Sequence, residues 1–108
     1  MMILSTLRIT VSPEQQDEVA LTLVSLLGPT QAEPGCASCH LYADVTADSA
    51  WNLQSEWRTW DDLDRYIRSD RYRQIMALID LSAEPPDVQF HEISETVGME
   101  HVRAIRMQ

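Results

Sequence analysis

Apolar and polar positions alternate from Ile3 to Val11, with Ile3, Leu7, Ile9 and Val11 on one side of an extended chain and Leu4, Thr6, Arg8 and Thr10 on the other. The rhythm predicts a first strand whose mixed second face meets another surface. Ser12-Pro13-Glu14-Gln15 then spells a helix start, with Ser12 as N-cap, Pro13 at the first helical position and Gln15 closing a capping box. Val19, Leu23, Leu26 and Leu27 recur at helical spacing, and Gly28-Pro29 is expected to end that helix. A period of two returns from Gly35 to Val45. There Ala37, Cys39, Leu41 and Ala43 fall on one face, and Cys36, Ser38, His40, Tyr42 and Asp44 on the other.

A turn at Thr46-Ala47-Asp48 joins this second strand to the stretch Trp51 to Leu81, around which the chain is organised. It opens in strand rhythm, Trp51, Leu53, Ser55 and Trp57 against Asn52, Gln54, Glu56 and Arg58, and then turns helical. Trp60, Leu63 and Ile67 form one helical stripe and Tyr72, Ile75, Met76 and Ile79 a second, with Ser69-Asp70 between them as a break and recap. Pro85-Pro86 blocks further helix, and Val88 to Ser94 reads as a fourth strand. Residues Gly98 to Gln108 fit neither period; they read as a short strand or as an arm laid on a partner subunit.

The order strand, helix, strand, strand, helix, strand specifies an α+β fold, a ferredoxin-like split βαβ antiparallel sheet with its helices on one face, in a single domain spanning 1–108. Helices on one face leave the other needing cover, and a second copy of the same sheet is the simplest cover. A symmetric homodimer is therefore expected.

Charge narrows the partners. The 108 residues carry a net charge of -9, and every basic side chain is Arg. Nucleic acid and anionic membrane surfaces are excluded, since both are recognised through clustered cations. No apolar run approaches a membrane span, and the start MMILSTLRIT has neither a basic n-region nor a cleavage site, so a cytoplasmic protein is expected. Cys36-Ala37-Ser38-Cys39-His40 has the form of a haem c attachment site. On a regular strand, however, residues i and i+3 point to opposite faces, which argues against that attachment and against a Cys36–Cys39 disulfide. His91 and His101 are the only further ligand histidines for zinc, and no metal site is expected.

Pro34-Gly35-Cys36, the strand ending in Glu56-Trp57, the helix WDDLDRYIRSDRYRQI and the closing strand VQFHEIS together resemble the antibiotic biosynthesis monooxygenase (ABM) family of dimeric α/β barrels. The resemblance implies cofactor-free oxidation of an electron-rich quinol or polyketide-like phenol by molecular oxygen, with haem degradation and non-catalytic stress-response or binding roles on the same scaffold. Where haem-degrading relatives carry Asn, Trp and His, this chain carries Leu7, Tyr66 and Met76, which disfavours their chemistry. Small side chains at Ala37, Cys39 and Ala43 leave volume under the helices. A pocket for a flat aromatic guest is expected there, lined by Leu7, Cys39, Trp57, Tyr66, Tyr72 and Met76. His40 is the candidate general base, sharing its face with Ser38 and Tyr42; Tyr66 is the second candidate catalytic group, and Glu56 an expected interface ion-pair partner.

Overall fold

The computed structural model describes residues 1–108. Strands β1 (Met2–Thr10), β2 (Cys36–Ala43), β3 (Ala50–Trp57) and β4 (Asp87–Ile93) form one antiparallel sheet in the order β2-β3-β1-β4. Helices α1 (Gln16–Gln31), α2 (Trp60–Ile67) and α3 (Asp70–Asp80) cover one face of it, and a fourth helix, α4 (Met99–Arg106), follows β4. This is the ferredoxin-like α+β fold. No helix is long and apolar enough to cross a membrane.

The core lies between the sheet and α1 to α3. Ile3, Leu7 and Ile9 of β1 and Leu53 and Trp57 of β3 meet Val19, Leu23 and Leu26 of α1, Leu63 and Tyr66 of α2, and Ile75 and Leu78 of α3. Each such aliphatic or aromatic side chain removed from water contributes about 1.5–3 kcal/mol, and Trp57, with no exposed surface at all, anchors the set.

The recap between α2 and α3 forms as the sequence predicts. The Ser69 side chain accepts the Tyr72 backbone N–H, and Thr59 does the same for Asp62 at the start of α2. Four local readings are corrected. The Ser12 side chain makes no cap bond to the backbone; a 3-10 turn over Pro13–Gln15 intervenes, and α1 begins at Gln16. Nor does Gly28-Pro29 end α1, which runs through Pro29 to Gln31. A proline in the last turn removes only one backbone bond, and side-chain contacts to other elements hold that turn in place: Gln31 Nε2 donates to the Cys39 carbonyl at 2.8 Å, and Thr30 meets Tyr66.

The third correction is a β-bulge. Cys36 pairs with Trp57 and Ser38 with Glu56, so Ala37 has no partner and is exposed. The extra residue turns Cys36 to the helix-covered side, the side of Cys39. The two cysteines share a face, contrary to strict alternation, and both are free thiols. The fourth concerns residues 98–108, which are neither strand nor irregular arm: Met99–Arg106 is helical, with every residue exposed.

Candidate functional site

A small cavity opens between the middle of the sheet and the junction of α1, α2 and α3. Its apolar wall is Leu7, Leu53, Ile75 and Val88, and its polar wall the hydroxyls of Ser5, Thr30, Ser55, Tyr66 and Tyr72 with the Cys39 thiol. The volume is about 20 Å³, room for one water-sized group.

Tyr66 is the centre of this arrangement. Its ring stacks on Trp57 at 4.8 Å and takes Tyr72 edge-on at 5.4 Å. Its hydroxyl lies 3.0 Å from Thr30 Oγ1 in a buried bond. Trp57 in turn donates from Nε1 to Ser55 Oγ at 2.9 Å, so the Trp57–Tyr66 stack is pinned to β3 from below. Glu33, in the loop after α1, accepts from Arg71 Nε at 3.3 Å and ties that loop to α3. Gly35 lets the same loop pass α2: its φ of 83° is in the left-handed region, and a Cβ there would come 2.2 Å from the Asp62 carboxylate.

No charged side chain lines the cavity, and its titratable groups are all held neutral. Burial pushes Tyr66 up to about 12, only partly offset by the Thr30 hydrogen bond. Burial also pushes Cys39 up to about 12, reinforced by the neighbouring Cys36, and raises Tyr72. At neutral pH this is a pocket of hydrogen-bond donors and acceptors without an ionised base.

Of the residues expected from the sequence, the structure brings Leu7, Cys39, Tyr66 and Tyr72 to the cavity. Trp57 does not line it but lies against the Tyr66 ring. Met76 is 50% exposed, because Ile75 and Leu78 take the buried stripe of α3, and it lies outside the cavity. His40 is exposed on the opposite face of the sheet, opposite Gln54 and beside Tyr42, and cannot reach a group in the cavity. No group of three or more His, Cys, Asp or Glu side chains is arranged to hold a metal ion.

Thr30 and Ser55 were not singled out in advance. Ser55 was legible as the one hydroxyl in the Trp51-Leu53-Ser55-Trp57 face. Thr30 continues the stripe Val19, Leu23, Leu26 in step, but only if the helix passes through Pro29.

Comparison with known proteins agrees with the fold. The antibiotic biosynthesis monooxygenase family profile matches residues 2–78. A Synechocystis protein, sll1783, is 28% identical over 89 residues, which span 82% of this chain and 60% of that protein's length. Among solved structures, a candidate antibiotic biosynthesis monooxygenase from Deinococcus radiodurans superposes with a TM-score of 0.81 at 18% identity, covering 89% of this chain and 96% of the other. Rv0793 from Mycobacterium tuberculosis gives 0.81 at 21% identity, with 91% and 100% covered. A conserved protein from Methanosarcina mazei gives 0.77 at 24%, with 85% and 92% covered. The chain belongs to the antibiotic biosynthesis monooxygenase family.

Proposed function

We propose that this protein is a cofactor-independent monooxygenase that holds a small electron-rich phenol or quinol against Tyr66 and oxidises it with molecular oxygen. The observation that carries the reading is the buried Tyr66–Thr30 hydroxyl pair in a mainly apolar cavity. A tyrosine kept protonated is a fixed donor, suited to a substrate oxygen that gains negative charge as its proton leaves. The cavity's size admits that oxygen and not a ring. The ring would lie at the mouth, along β4 against Val88, which the helices leave 38% exposed. The released proton goes to solvent through the same mouth. The substrate supplies all four electrons: one oxygen atom stays on the oxidised carbon and the other leaves as water. In the same reading the chain works as a homodimer through the helix-free sheet face, where Met2, Leu4 and Ile93 stand together beside His91.

A second reading, a binding module without turnover, is favoured by the absence of an ionised base among the cavity's side chains. Oxygen uptake with a panel of hydroquinones and anthrones, alongside calorimetric titration of the same compounds, separates the two. The enzyme reading expects uptake above background, reduced at least about tenfold in Tyr66→Phe and unchanged in His40→Ala. Saturable binding without uptake leaves the module, and neither signal removes both.

A further inference from the structure

α4 is a helix without a surface to rest on. All of its residues are exposed, and no hydrogen bond or ion pair joins it to the rest of the chain. Met99, Val102 and Ile105, at three-residue spacing on one side, are 59%, 44% and 51% exposed. Isolated helices shorter than about 12–15 residues are marginal in water, so eight residues with an apolar stripe need cover to persist. The radius of gyration, 15.8 Å against about 13 Å for a compact chain of this length, measures how far the molecule departs from closure on itself. Residues 94–98 carry α4 off the end of β4 with extended backbone at Gly98.

The sheet has a matching vacancy in its helical layer. Val88 and Phe90 of β4 face the helix side, opposite Leu7 and Ser5, yet remain 38% and 37% exposed because α1 to α3 stop short of that strand. Trp60, 42% exposed, closes one end of this groove with its Nε1 bonded to Glu92 Oε1 at 2.9 Å. Asp80, Glu84 and Asp87 lead into the groove along the chain, while α4 carries Arg103 and Arg106, neither paired with a carboxylate. Of 17 acidic residues only Glu100 lies on α4. Apolar stripe and basic end on one side meet apolar strand and acidic approach on the other.

We infer that α4 is exchanged between two copies of this chain, lying along β4 of the second copy and walling the mouth of its Tyr66 pocket. The consequence at the mouth rests on the reading of that pocket as the binding site; the exchange itself does not. Two α4 helices related by a twofold axis each cover the other copy's groove.

The test is the dimer dissociation constant of the full chain by analytical ultracentrifugation, which uses no substrate and so stands apart from the oxygen-uptake result. Val102→Asp with Ile105→Asp spoils the donor helix, whose side chains touch nothing in the core, and Val88→Asp with Phe90→Asp spoils the acceptor strand. Each pair is expected to raise the dissociation constant at least about tenfold with an unchanged circular dichroism spectrum. Mixing the two variants restores dimers, since one intact helix then meets one intact groove. A monomeric native chain, variants that associate like the native chain, or a mixture that stays monomeric, as folding back within one chain would give, overturns the inference.

Discussion

Thr30 and Tyr66, 36 residues apart in sequence, meet hydroxyl to hydroxyl at 3.0 Å with both side chains buried. The contact joins the last turn of α1 to the underside of α2, and it forms because α1 continues one turn past Gly28-Pro29. Removing one partner leaves the other's hydroxyl buried and unbonded, which costs more than losing the bond from both sides. Thr30→Val and Tyr66→Phe are each expected to lower unfolding free energy by about 1–2 kcal/mol, and the double variant by less than the sum. Urea denaturation of the four proteins in the cycle measures the coupling.

Cys39 and Tyr66 make stability fall in alkali. Both have folded pKa values raised to about 12, from 9.0 for the thiol and 10.0 for the phenol, by burial first. Between those limits the unfolded chain releases protons that the folded chain keeps, so the folded state binds more and unfolding becomes easier as pH rises. Their contribution is whole below about pH 9 and is lost progressively toward 12. Unfolding free energy is expected to drop by at least about 1 kcal/mol from pH 8 to pH 10.5. Cys39→Ala should flatten the lower part of that decline.

Gly35→Ala is expected to destabilise by about 1–3 kcal/mol. Two causes act together: a φ of 83°, which alanine adopts with strain, and a Cβ placed 2.2 Å from the Asp62 carboxylate. Combining it with Asp62→Ala removes the carboxylate but leaves the Cβ of residue 62 in the way and the backbone strain in place, so thermal melting of the double variant should recover only a small part of the loss.

The tryptophans separate core from surface. Trp57, fully buried, bonded to Ser55 and stacked on Tyr66, should cost about 3–5 kcal/mol when replaced by Ala. Trp60, 42% exposed with an exposed bond to Glu92, should cost under about 0.5 kcal/mol when replaced by Phe. Denaturation followed by far-ultraviolet circular dichroism gives both values.

Local alternation and local capping determined most of the architecture in advance. The faces of β1 and β3, the hairpin joining β2 to β3, and the restart of the helix at Ser69 all depend on neighbours within a few residues, and each is present where the sequence places it. Leu7 and Cys39 reach the cavity by strand alternation and Tyr72 by the α3 stripe, whereas Tyr66 lies off the Trp60-Leu63-Ile67 stripe and is nominated only by the family resemblance; packing buries Tyr66 with Leu63 and leaves Trp60 42% exposed. What local rules misjudged was decided by contacts distant along the chain. Bonds from Thr30 and Gln31 to Tyr66 and Cys39 hold the last turn of α1 against its own Gly-Pro signal. Pairing with β3 inserts the bulge at Ala37 and turns Cys36 inward.

Met76 and His40 show the remaining division. Met76 shared the spacing of the α3 stripe, and which neighbour turns inward depends on how α3 seats on the sheet through Ile75 and Leu78; His40 was a candidate by residue type alone, since alternation already places it on the face opposite Cys39. The sequence determined the order of the four strands and of α1 to α3 and the apolar sides of β1, β3 and α1, because those follow from the period of one segment. The tertiary structure alone decided where α1 stops, that Thr30 faces Tyr66 and that β4 is left uncovered, because each is settled by packing between segments that no single period encodes.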